Sequence, residues 1–367
     1  MGADEYWCHV MNKISKSLSE RFAVMSFLCA CMIVFFHATP APDVGSLNWW
    51  FFHLFGREGV CCIAVPYFFA CSGFFLAGHL GEKGWWRREV SKRVRSLVIP
   101  FFIWMAIGFA FGVCVVYAKN RFFNAHVTSE FLALPFWEKS VLYLGLHPFR
   151  DIGVLWYVRT LFLMVLVSPV IFRFLRCPIS TLCTLLIIHL VVTYLFGTVL
   201  NLGMYFLMDR FVSVRGLLYF FVGAALRINW QMDKSQISTR VGLLWLVIGL
   251  ALLLGKSLLL LGGQGALGGV VEAVAVPCLV VGVWSIVPTV GWMKRLSGYS
   301  FPIFLMHNIL LSLIAMIFMA IGLRDSSGLQ IMIAVVRAFL AIVGSVFLAF
   351  GLKRAVPRFA SILFGGR

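Results

Sequence analysis

The sequence predicts an all-α polytopic membrane protein of about ten transmembrane helices with both termini in the cytoplasm. Three observations carry that prediction: an apolar composition, ten apolar runs of spanning length, and basic charge that alternates between the gaps separating them. Of 367 residues, 61% are hydrophobic, 16% aromatic and only 12% charged, against about 25% charged in soluble domains. The runs lie near 22–39, 59–80, 97–118, 153–172, 179–199, 211–229, 241–261, 268–290, 299–321 and 331–351, each close to the ~20 residues needed to cross a hydrocarbon core of about 30 Å. The gaps 1–21, 81–96, 173–178, 227–240, 291–298 and 352–367 hold 20 Lys and Arg, whereas the remaining gaps hold eight. The positive-inside rule therefore sets the first group of gaps in the cytoplasm. This divides the chain into a short cytoplasmic arm (1–21), a ten-helix transmembrane domain (22–351) and a basic cytoplasmic tail (352–367).

The net charge of +17 does not indicate nucleic acid, because the basic residues are scattered between apolar runs instead of forming one face or a tail. They act as topology signals, and the lipid bilayer is the partner they imply. The ten cysteines fall mostly inside the apolar runs with no CxxC pair, which argues against a disulfide framework or a metal site. The first run is long for a signal peptide and others follow it, so it reads as a signal-anchor with a multi-pass placement in the cell membrane.

Taken in order, the first run, RFAVMSFLCACMIVFFH, ends on His37. An ionisable ring at the outer end of a span is a functional candidate, set against the plainer reading of a hydrogen-bonded helix-end histidine. The loop GEKGWWRREVSKRVRSLVIP carries six basic residues beside Trp85 and Trp86; it reads as a topogenic cluster or as a site for an anionic headgroup or ligand. Between the third and fourth spans, FLALPFWEKSVLYLGLHPF is expected to form an interfacial helix over the outer face, anchored by Trp137 and Tyr143, with His147 and Asp151 following. Arg159, Arg215 and Arg337 fall inside spans and are expected at the depth of His37, with Glu272 as the internal counter-charge and Trp156 on the face of Arg159. Against that stands simple snorkelling to headgroups. His189 and His307 lie mid-span, where a neutral imidazole bridging helices is the commoner reading. His79 marks an interface. GGQGALGG (262–269) reads as a mobile loop and not a phosphate cradle, since no strand precedes it and the P-loop lysine is missing.

Five stretches in order, FFHA, PYFFACSGFFLAG, KRVRSLVIPFFIW, LWYVRTLFLMVLVSP and YSFPIFLMHNILL, resemble the membrane-bound acyltransferase-3 family, integral membrane O-acyltransferases of cell-surface glycans. The resemblance covers essentially the whole chain. It implies transfer of an acyl group, acetyl being the expected one, from cytoplasmic acyl-coenzyme A to a hydroxyl of an extracytoplasmic glycan or related acceptor, with no permanently bound cofactor. It maps the family's catalytic histidine onto His37, its donor-holding basic motif onto Lys92, Arg93 and Arg95, and its fourth-span motif onto Trp156 and Arg159. Many members carry an arginine eleven positions before the histidine, where this chain has Ser26; Arg21 lies five residues further out.

The chemistry suits these residues. A hydroxyl attacking a thioester needs a base with a pKa near ambient pH, which His37 would supply as general base unless it is itself acylated. The tetrahedral oxyanion needs positive charge, for which Arg159 or Arg215 would serve in a low-dielectric site, with Arg337, Trp156 and Glu272 as further substrate or oxyanion candidates. Two other readings remain at the level of sequence: a transporter or flippase of a lipid-linked or anionic glycan, and a non-catalytic family member.

Overall fold

The computed structural model describes residues 14–40, 42–123, 133–144, 153–198, 213–229, 237–323 and 328–366. Its elements are helical throughout that range. Ten helices correspond to the ten apolar runs: α1 Lys16–Ala38, α2 Ala64–Ala77, α3 Ile99–Phe123, α4 Trp156–Ile171, α5 Pro178–Thr198, α6 Val214–Ile228, α7 Thr239–Leu261, α8 Gly265–Ile286, α9 Ser300–Ala320 and α10 Gln330–Ala355. Among the described residues nine helical stretches are long and apolar enough to cross a membrane. The sixth run gives a shorter helix of 15 residues, about 22 Å long. Most of α6 is buried against its neighbours, so protein, not lipid, covers it.

Small residues let the inner helices touch backbone to backbone. A Cβ at Gly73 of α2 would collide with the Phe220 carbonyl, and one at Gly223 of α6 would collide with the Ala70 carbonyl. This reciprocal crossing is the close approach that packs helices where lipid offers no hydrophobic drive. The outward faces are apolar instead: Leu244, Val247 and Leu258 of α7, and Phe339, Phe347 and Phe350 of α10, are all exposed, as a hydrocarbon solvent requires.

Two local expectations change. GGQGALGG is a loop only as far as Gln264, since α8 begins at Gly265 and the turn is made by Gly263 at φ 75°. The segment after α3 forms a helix, Phe136–Tyr143, but it does not cap the end of α3 that carries Lys119. The Tyr143 hydroxyl donates to the Phe102 carbonyl (3.2 Å) and its ring packs on Phe102 and Phe109, so this helix lies alongside α3, where the phenol finds an acceptor. His147 and Asp151 lie outside the described residues. The basic tail holds a helix, Pro357–Leu363, with Ala360, Leu363 and Phe364 buried. The Trp104 indole N–H donates to the Leu363 carbonyl (3.1 Å), which ties this tail to α3.

Candidate active site

His37 ends α1 one residue before the helix stops at Ala38, and its side chain is exposed. It opens into a cavity of about 440 Å³ whose other polar lining includes Lys119 of α3, Asn308 and Ser312 of α9, and Arg337 of α10. The structure therefore brings His37 and Arg337 together, as the sequence placed them at one depth. The Arg337 Nε is buried with no hydrogen-bond partner among the described residues.

Beside His37, behind the cavity lining, stands a residue read from sequence as a helix bridge. The His307 ring is wholly buried, and its centroid lies 5.1 Å from that of His37. His307 Nδ1 lies 2.7 Å from the Phe304 carbonyl and 3.3 Å from that of Ile303. A carbonyl only accepts, so Nδ1 carries the proton and Nε2 is left as an acceptor. That Nε2 is buried and has no hydrogen-bond partner among the described residues. Its signal in the sequence was the ninth-span motif, FLMHN, but pairing it with His37 needed the packing of α9 against α1.

Arg159 and Trp156 are not among the described residues lining the His37 cavity. Tyr157, between them, packs on Phe304 at 5.6 Å, one turn into α9, whereas His307 stands further along that helix. Arg159 lies in the first turn of α4, away from the Leu166 carbonyl that accepts from Trp86 of the basic helix. Arg215 and Glu272 do form the anticipated pair (3.0 Å), but inside a separate cluster. Lys256, counted from sequence as an outer-gap charge, is buried; its ammonium reaches Glu272 at 2.6 Å and Glu58 at 3.1 Å. His189 is buried within electrostatic reach of Arg215 and Glu272. The cluster sits at the same end of the bundle as His37, because the neighbouring Arg57 guanidinium lies over the Phe36 ring at 5.5 Å.

The basic motif occupies the opposite end. Lys92 and Arg93 belong to the helix Trp85–Arg93, and Arg95 to a π-turn, Val94–Val98, that leads into α3. The helical run from Arg95 to Lys119 is about 36 Å long. Buried Glu89 lies 3.6 Å from the Lys92 ammonium and 3.7 Å from the Arg93 guanidinium, while Arg95 is exposed. His79 joins this group through Glu82 (3.0 Å) and Glu89 (3.7 Å). Burial nonetheless holds its imidazole below the usual histidine range, although the Glu89 charge opposes that.

At the position of the family arginine, Ser26 Oγ lies 3.3 Å from the Tyr67 hydroxyl, which itself donates to the Phe22 carbonyl at 3.0 Å. Buried Tyr67 fills the space beside Ser26. Arg21 is held elsewhere, donating to the Trp284 carbonyl at 3.4 Å with its guanidinium 5.9 Å from that indole. No group of metal-ligating side chains occurs among the described residues.

No curated protein and no solved structure matches the chain. A family model does: the acyltransferase domain model of the acyltransferase-3 family matches residues 23–354. With nearly the whole helical bundle inside that match, and the motif residues at the two ends of one bundle, the chain belongs to the acyltransferase-3 family.

Proposed function

We propose that this membrane acyltransferase moves an acyl group from cytoplasmic acyl-coenzyme A to a hydroxyl of an extracytoplasmic glycan or related acceptor, with His37 as general base. The observation that carries the reading is the His37 cavity, open and about 440 Å³ in volume, with Lys119, Asn308 and Arg337 around the imidazole. A cavity of that size admits a sugar ring and a thioester together. The acceptor O–H gives its proton to His37 as its oxygen attacks the thioester carbonyl carbon. The tetrahedral oxyanion then collapses, the C–S bond breaks, and the coenzyme A thiolate leaves, taking up the proton that His37 releases. Arg337, on the wall of the same cavity, is better placed than Arg159 or Arg215 to offset the oxyanion charge. The buried acceptor nitrogen of His307 beside His37 supports a base held in one orientation. Lys92, Arg93 and Arg95 would meet the phosphates of coenzyme A at the other end of the bundle.

The orientation, with the basic helix inside, rests on the Lys/Arg alternation, and the cell membrane is the location proposed for it. Epitope tags inserted at Gly45 and at Gly81, both in turns with positive φ, should be accessible from outside and inside respectively. The function itself is tested with labelled acetyl-coenzyme A and sealed membrane vesicles that carry the protein and surface polysaccharide. Label in the polysaccharide is the expected result. Polysaccharide that crosses the membrane unlabelled would support a transporter and overturn the transferase.

A further inference from the structure

A second cavity, of about 300 Å³, lies between α3, α9 and the turn Gly153–Leu155 that precedes α4, with walls that include Trp104, Met105, Phe109, Leu155, Leu305 and Ile309. It adjoins the His37 cavity, because Asn308 and Ser312 line both. Its position along the helices is informative. On α3 its residues run from Trp104 to Phe111, whereas the His37 cavity begins at Val115; on α9 it reaches back to Leu305, whereas the His37 cavity begins at Asn308. The apolar cavity is therefore displaced from His37 towards the end of the bundle that carries the basic helix. Gly108 faces into it, and a Cβ there would meet no atom within 4 Å.

Resting on the acyltransferase reading above, we infer that this apolar cavity is the subsite for the donor's acyl chain, and that the enzyme transfers chains longer than acetyl. The chemistry of the wall selects this occupant. A sugar ring or the amide-bearing arm of coenzyme A would leave hydroxyls or amides facing indole, phenyl and aliphatic groups, which is costly without hydrogen bonds. A methylene chain has none to satisfy. The two polar side chains of the lining, Asn308 and Ser312, stand at the junction with the His37 cavity, where the carbonyl joining chain to sulfur would lie. A volume of about 300 Å³ is roughly ten times the ~30 Å³ share of one liquid water, room for a chain of about six to eight carbons. No new bond is involved: the chain stays attached to the carbonyl carbon that moves from sulfur to oxygen.

The test compares acetyl-, butanoyl-, hexanoyl- and octanoyl-coenzyme A as donors to vesicles of the full-length protein, read as the ratio of kcat/KM for each chain to that for acetyl. Each methylene buried should raise that value by about fourfold until the cavity is full. Gly108→Leu fills the cavity and should lower the hexanoyl-to-acetyl ratio at least tenfold. Gly112→Leu, one turn along α3 and likewise open to an added Cβ, is the control and should leave the ratio within about twofold. Both changes replace a helix-interior glycine with a better helix former, so neither threatens the fold. A wild-type enzyme that accepts acetyl alone would overturn the subsite. So would an unchanged ratio in Gly108→Leu, including one accompanied by a raised KM for the acceptor, which would assign the cavity to the acceptor instead. In either case acetyl transfer lost on His37→Ala would leave the transferase reading standing, whereas no transfer from any donor would overturn both.

Discussion

Two polar regions stand at the same end of this helical bundle and differ in how their groups are satisfied. Around Glu272, two cations and a second carboxylate close a network: Arg215 at 3.0 Å, Lys256 at 2.6 Å, and Glu58, whose carbonyl also accepts from Lys256 at 3.0 Å. Around His37, the Nε2 of His307 and the Nε of Arg337 are buried with no hydrogen-bond partner among the described residues, beside an open cavity. Charge in hydrocarbon is expensive in both places. The first region offsets the cost internally. It fastens the segment before α2 to α7 and α8. The second leaves two buried polar atoms unpaired among the described residues, one of them on Arg337, which lines the open cavity. An intramembrane charge is thus a weak guide to chemistry until its partners are known.

Breaking the closed network should have the largest effect. Glu272→Ala leaves Lys256 and Arg215 without their shared counter-ion, a loss on the order of 3–5 kcal/mol for a broken buried pair. Unfolding in detergent would show it, with activity falling in step with the folded fraction. Replacing Glu272, Lys256 and Arg215 together by Leu, Met and Met should recover most of that stability. The opposite pattern is expected in the open region. Arg337→Gln should fold normally and lose roughly 10²-fold in kcat, the scale of a missing oxyanion donor.

His307 separates the two kinds of role within one side chain. His307→Asn keeps a donor near the Nδ1 position for the Phe304 carbonyl but removes the acceptor beside His37, whereas His307→Gln reaches the Nε2 position. If the acceptor orients the base, Asn should lower kcat by about tenfold and shift the acid limb of the pH profile, with Gln closer to wild type. Equal loss in both would mean that His307 serves packing alone. The smallest effect belongs to His79. Its folded pKa lies below its ordinary value, so the folded state binds fewer protons there. Stability at the inner end should hold above the ordinary histidine value and weaken as pH falls through that value towards the lower folded one. His79→Gln should flatten that dependence in a thermal melt followed over pH.

Much of the bundle was legible because its causes are local. Ten apolar runs and the basic gaps between them follow from helix length and hydropathy alone, and the helices lie where those runs lie. The pairing of Arg215 with Glu272 was legible as the need of one buried charge for another. Lys256 was not, because its position near the end of an apolar run looks the same whether it turns outward to headgroups or inward to Glu272. The absence of Arg159 from the described lining of the His37 cavity was not legible either, because which face of α4 meets a cavity is set by what that helix packs on. His37 and His307 are 270 residues apart in sequence, so their contact appears only once α1 meets α9. Tyr67 beside Ser26 is of the same kind: the missing arginine is visible in the sequence, its replacement only in the packing.

The central claim is that His37 takes the acceptor's proton, and transfer from labelled acetyl-coenzyme A by the His37→Ala protein tests it most directly. The imidazole is exposed at a helix end, so expression, insertion and melting should stay close to wild type, with a loss of about 1 kcal/mol at most. Transfer should fall by 10²–10⁴-fold. A well-inserted His37→Ala protein that still transfers at near the wild-type rate would contradict the account.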